Sequence, residues 1–219
     1  MDISEQIKQI KDFSYSKMSA DTTGHNFDHI ERVVNMVQNL SESEHANQLI
    51  TLAAAYLHDV ADDKLVDDPA KLEKEIKEFL QKIDFTDEQA NEVLFITHNI
   101  GFSKSLSENP PKLTLEGQIV QDADRLDAIG AIGITRAIYY GGANAETIYD
   151  PTVKPRENMD IKEYRNLSDE TIINHFYEKL LKLEGMMNTK SAQAIAKKRH
   201  KFMEDYLTEF KEEWNLGQK

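Results

Sequence analysis

At 219 residues, the chain is long enough to bury a core without disulfide or metal staples. Its formal net charge of -13 argues against general affinity for nucleic acid polymers, whose binding depends on neutralising many phosphates with Lys and Arg. The absence of cysteine removes thiolate metal sites and cysteine nucleophiles and fits a reducing compartment.

The N-terminus, Met1-Asp2-Ile3-Ser4-Glu5-Gln6-Ile7-Lys8, lacks the basic stretch and apolar run of a signal peptide. The longest apolar run, around Leu49 to Leu57, falls far short of the roughly 20 residues that a membrane span requires. A soluble cytoplasmic protein without a membrane partner is therefore expected. Ile30, Val33, Val34, Val37 and Leu40 recur at the spacing of one helix face, and Ser41 with Glu44 reads as the capping box of the next helix. Beyond the Asp67-Asp68-Pro69 turn, Ile76, Phe79, Leu80 and Ile83 mark another helix, and Thr86 with Gln89 reads as a second capping box. A segment beginning near Gly101 ends at Asn109-Pro110-Pro111.

Gly130-Ala131-Ile132-Gly133 is a poor dinucleotide fingerprint, since no βαβ pattern surrounds it, and it reads as close helix packing. Gly141-Gly142 through Pro151 to Pro155 has the composition of a long loop, either a lid or an exposed linker. Two amphipathic stretches, about Asp169 to Met186 and Ser191 to Trp214, close the chain. No sustained two-residue alternation appears, so the fold class is all-α. No composition shift demands a boundary. The expectation is one domain over 1–219, with a core at about 20–140, a loop at about 141–165 and C-terminal helices at about 166–215 packed on that core.

The chemistry concentrates at His58-Asp59, a histidine and an aspartate inside a run otherwise almost all apolar, Leu49 to Val60. Burying an uncompensated carboxylate is very costly, and a divalent cation would offset it. His29 upstream and Asp124 downstream, each at the edge of an apolar helical pattern, complete a set of two imidazoles and two carboxylates. Such a mixed set suits borderline divalent ions. One ion is expected, manganese foremost, with nickel, iron, zinc, cobalt or magnesium as alternatives. Four protein ligands on an octahedral ion leave coordination positions for water or substrate, where the cation acidifies water and draws charge from a phosphoryl oxygen.

The quartet stands in three spaced words. They read Gly24-His25-Asn26-Phe27-Asp28-His29-Ile30-Glu31-Arg32-Val33, then Leu57-His58-Asp59-Val60-Ala61-Asp62-Asp63, then Gln121-Asp122-Ala123-Asp124-Arg125-Leu126-Asp127-Ala128-Ile129-Gly130. Together they resemble the signature of the HD-domain metal-dependent phosphohydrolases. The last word, with the tail from His175 to Leu181 and on through Met187-Asn188-Thr189 to Arg199, is similar to the small bacterial YpgQ/YedJ-like group, so the likeness covers almost the whole chain. It implies an HD-domain helical bundle with additional C-terminal helices. It also implies a pyrophosphohydrolase that cleaves nucleoside or deoxynucleoside triphosphates to monophosphate and pyrophosphate, and a homodimer.

Asp62 lies three residues past Asp59, nearly one helical turn on, and can project toward the same opening. The family likeness gives the position a part in assisting the attacking water or the leaving group, and Asp62-Asp63 resembles the Glu-Asp pair of the (p)ppGpp hydrolases. His25 is a candidate substrate contact or a support for the ligands, and Arg32 and Lys64 offer positive charge near the site. His98 and Asp127 stand in family-like words, while Lys179, Lys182 and Arg199 stand in the C-terminal stretch that resembles the family. Other readings are a phosphomonoesterase, a cyclic-nucleotide phosphodiesterase, a (p)ppGpp hydrolase, or a regulatory module that binds a nucleotide without turning it over. No Gly-Lys-Ser/Thr phosphate loop, His-Glu-x-x-His motif or Gly-x-Ser-x-Gly elbow is present.

Overall fold

The structure, a computed structural model, describes residues 1–18, 27–60, 68–107, 109–157, 159, 163 and 171–216. Those residues are helical in the main, and the pairing of extended backbone among them is an isolated parallel bridge between Thr147 and Thr171. The all-α expectation holds. The chain divides into two compact units, Met1–Ala123 and Asp124–Lys219.

In the first unit, α1 (Ile3–Met18), α2 (Phe27–Glu44) and α5 (Asp87–Asn99) surround α3 (Gln48–Leu57), while α4 (Pro69–Lys82) packs on α5. Every residue of α3 from Leu49 to Leu57 is buried, as a helix apolar on all sides must be. Two side chains of α1 satisfy backbone carbonyls deep in this unit: Ser14 Oγ donates to Tyr56 O at 2.6 Å and Gln6 Nε2 to Ile83 O at 2.7 Å. The short α6 (Phe102–Ser105) follows, and α7 (Leu115–Asp127) carries the chain past Ala123 into the second unit.

The Thr86 capping box forms as read, with Gln89 Oε1 accepting from Thr86 N at 2.9 Å and Thr86 Oγ1 from Gln89 N at 3.2 Å. The Ser41 box does not. Ser41 lies inside the last turns of α2, buried, with its hydroxyl on Thr51 Oγ1 at 3.2 Å. α2 continues through it and stops at His45, which takes a left-handed backbone (φ 56) while Ala46 N donates to Ser41 O. The cap of α3 is Asn47, whose Oδ1 accepts from Leu49 N and Ile50 N. Asp68-Pro69, read as a turn, starts α4, with Asp68 as cap and Pro69 in the first turn.

In the second unit, α8 (Gly130–Ala143) packs on α9 (Ile172–Glu178) and on α10 (Lys190–Trp214). The amphipathic stretch expected over Asp169 to Met186 is not one helix. α9 ends at Glu178, Lys179 leaves helical backbone (φ -134, ψ -60), and a 3-10 helix covers Leu180–Met186. A three-residue period sets Leu180 and Leu183 above one another, and both are buried. The glycines of Gly130-Ala131-Ile132-Gly133 serve close approach, as read. Gly130 has φ 76 with the Arg199 side chain against it, and a Cβ on Gly133 would stand 2.2 Å from Ala128 O.

Candidate metal centre

Three buried donors of the first unit converge. His29 is in the first turn of α2, and His58 and Asp59 follow the last residue of α3. The three-residue connection between α2 and α3 makes them antiparallel neighbours, and the contacts Ser41 to Thr51 and His29 to His58 run in opposite senses along the pair. The start of α2 therefore lies beside the end of α3. His58-Asp59 sits just beyond the apolar helix rather than inside it, because Val60 N turns back to Leu57 O at 3.1 Å and tightens the chain there.

The two Nε2 atoms are 3.3 Å apart, His29 Nε2 is 3.5 Å from Asp59 Oδ2, and His58 Nε2 is 3.5 Å from Asp59 Oδ1. The carboxylate thus straddles the two imidazoles. The imidazole side chains are 1% and 2% exposed and the carboxylate 10%, so solvent screening of their charges is weak. His58 Nδ1 lies 2.8 Å from Ala55 O. A carbonyl only accepts, so Nδ1 carries the hydrogen, and the neutral ring, the form that ligates a metal, then presents its Nε2 lone pair to the other two groups.

These residues fit a divalent cation. Donors held about 2.0–2.2 Å from one ion stand roughly 3.0–3.5 Å from each other, and the three separations fall in that range. Among the described residues, His29, His58 and Asp59 are the group of at least three such side chains whose ligand atoms lie within 4.8 Å of one another. Asp124, the expected fourth ligand, lies on α7 one position past Ala123, where the second unit begins.

The other candidates divide by position. His25, Asp62, Asp63 and Lys64 lie outside the described residues. Arg32 is half-buried on α2, three positions after His29. His98, at the exposed end of α5, holds Glu73 Oε1 at 3.3 Å through Nδ1 and meets Lys104 Nζ at 3.2 Å through Nε2. In the second unit, Asp127 is buried and accepts from Arg136 Nη1 at 2.8 Å, while Arg199 Nη1 donates to Leu126 O. Burial pulls the Arg199 guanidinium below its ordinary value, and the Asp127 charge works against that. Lys182 Nζ donates to Glu157 O at 2.9 Å, and Lys179 is the break between α9 and the 3-10 helix.

Several groups escaped the sequence reading. The Ala55 carbonyl, which fixes the His58 tautomer, carries no sequence signal, and neither do the partners Arg136 of Asp127 and Arg156 of the buried Glu178. An open cavity of about 470 Å³ in the second unit is bordered by Glu184 and Met187 and by two cations, Lys190 and Lys197, that spacing did not single out.

The family model of the HD domain matches residues 26–129, which include the three converging donors. Over 211 residues, covering 95% of this chain and 94% of the relative, the sequence is 32% identical to the uncharacterized protein YpgQ of Bacillus subtilis. The chain belongs to the HD-domain family. Solved structures agree with this HD-superfamily hydrolase over nearly its full length. A Lactobacillus plantarum protein is 44% identical, with TM-score 0.87, covering 99% of this chain and 100% of that one. An HD-superfamily hydrolase of Bacillus thuringiensis is 39% identical, with TM-score 0.77 and coverage of 98% and 99%. YpgQ of B. subtilis, solved in complex with ADP, is 33% identical, with TM-score 0.78 and 97% of each chain covered. A divalent metal is what HD domains bind, and in this HD protein His29, His58 and Asp59 are a possible site for it. No helix among the described residues is long and apolar enough to cross a membrane.

Proposed function

We propose that this HD hydrolase is a nucleotide pyrophosphohydrolase, adding water to a nucleoside or deoxynucleoside triphosphate to give the monophosphate and pyrophosphate. The observation that carries the proposal is the buried triangle of His29 Nε2, His58 Nε2 and the Asp59 carboxylate, a donor set for one divalent ion. The solved complex of the YpgQ relative with ADP supports a small nucleotide as ligand. Manganese is the ion we propose, with Asp124 as the fourth ligand.

When bound, the cation supplies Lewis acidity toward a phosphoryl oxygen and lowers the pKa of water. The protein's own groups do the rest. The Nδ1–H of His58, held by Ala55 O, keeps Nε2 in its donor state and the ring fixed. The Asp59 carboxylate balances the positive charge gathered there. In the proposal Asp62, with Asp63 beside it, orients the attacking water and takes its proton at a carboxylate oxygen. His25, Arg32, Lys64, His98, Asp127, Lys179, Lys182 and Arg199 are proposed to meet the phosphates or the nucleoside. The whole chain is proposed to act as one HD domain, as a cytoplasmic homodimer.

The test is product analysis on a panel of nucleotides with manganese and after chelation. Equimolar monophosphate and pyrophosphate, lost with chelator and in Asp62→Asn protein that still binds the ion, is the expected result. Release of inorganic phosphate alone would make the enzyme a phosphomonoesterase. Nucleotide binding with no turnover under any divalent ion would leave a regulatory module and end the proposal.

A further inference from the structure

The stretch 144–157 carries no helix, yet its backbone is tied down along its length. After α8, Glu146 N donates to Gly141 O at 2.8 Å. Ile172 N and Ile173 N of α9 then donate to Thr147 O and Ile148 O, each at 3.0 Å. Asp150 Oδ1 accepts from Thr152 N and Thr152 Oγ1, closing a local turn, and Asn174 Nδ2 takes Val153 O at 3.0 Å.

Two side chains fasten this stretch to α10 and α9. Tyr149 sets its ring edge-on against Phe210 and Trp214, with centroids 5.8 Å and 5.2 Å away, so it closes the end of an aromatic row that runs Tyr206, Phe210, Trp214 along α10. Arg156 reaches Glu178 of α9 three times. Its backbone N donates to Oε1 at 2.9 Å, its Nε to Oε2 at 2.9 Å and its Nη2 to Oε2 at 2.5 Å. The Glu178 carboxylate is 1% exposed. A buried carboxylate that loses its guanidinium is left uncompensated, so the contact is all or none.

We infer that residues 144–157 form a strap latched onto α9 by Glu178, and that it opens as one piece when the Glu178 carboxylate is removed. Its bonds to α9 at Thr147, Ile148, Val153 and Arg156 all meet a helix that ends at Glu178. Losing the latch therefore frees the backbone donors and acceptors beside it, and water competes for them.

The chain carries its own reporters. Trp214 is the one tryptophan of the sequence and lies against Tyr149. Arg156-Glu157 is a trypsin site and Tyr149-Asp150 a chymotrypsin site, both inside the strap. Glu178→Gln in the full chain keeps the shape and removes the charge. The expected result is at least tenfold faster cleavage after Arg156 and after Tyr149, identified by fragment mass, with more acrylamide quenching of Trp214 and unchanged helical circular dichroism. Arg156→Lys keeps a charge and a trypsin site but loses the two-point planar grip, so it should cleave at an intermediate rate. This second variant decides the matter if Glu178→Gln fails to fold. Equal cleavage in wild type and a folded variant, or a wild-type strap cut as fast as the variant, would overturn the latch.

Discussion

His58 shows how much a single neighbouring atom decides. With Ala55 O accepting from Nδ1, a neutral ring turns its Nε2 lone pair toward His29 and Asp59, and the three make a candidate donor set for a cation. The dipeptide was legible in the sequence because a carboxylate beside an imidazole at the end of an apolar run needs compensation. The carbonyl that selects the tautomer was not, since backbone groups leave no trace in residue identity. Long-range pairing was equally silent: nothing in the spacing joins Arg156 to Glu178 or Arg136 to Asp127. Gly133 lies at the other extreme, legible as close packing and sharply testable. A methyl group there meets Ala128 O at 2.2 Å, backbone that cannot move aside cheaply. Gly133→Ala should therefore destabilise the protein by about 1–3 kcal/mol, read as a lower urea midpoint. An unchanged midpoint would show that the 128–133 turn yields without cost.

At the scale of elements, the apolar periodicities located α2 and α4, and the capping box read at Thr86 formed and starts α5. The failure at Ser41 is instructive. Ser at the start of a polar run resembles a cap, but α2 passes through it and ends only where His45 turns left-handed, a choice made by packing rather than by spacing. Asn47 does the capping instead, with two backbone donors on its Oδ1. Asn47→Ala should cost about 1 kcal/mol, and Ser41→Ala should show no loss of a cap. A thermal melt of Asn47→Ala beside Asn47→Asp, which keeps an accepting oxygen, checks the assignment: an unchanged melt in Asn47→Ala, or an equal loss in both variants, would contradict the Asn47 cap. The split of the 172–186 stretch into α9 and a 3-10 helix was illegible because an amphipathic pattern with buried residues three apart satisfies both helices.

For the whole molecule, the helical class, the family and the three buried donors were all written in the sequence, whereas the division into units at Ala123 and Asp124 was not, since α7 runs through it without a break in composition. Metal binding links the site to global stability. An ion that binds the folded chain and not the unfolded one stabilises it by about 2.7 kcal/mol at a free concentration one hundred times its dissociation constant. Manganese should therefore raise the melting temperature and chelator should reverse the rise. The measurement that bears most directly on the whole account is the stoichiometry and affinity of manganese in the full chain, wild type against His58→Ala. One ion per chain in the wild type and a loss of that binding in the variant is the predicted result. No bound ion, or equal affinity in both proteins, would contradict it.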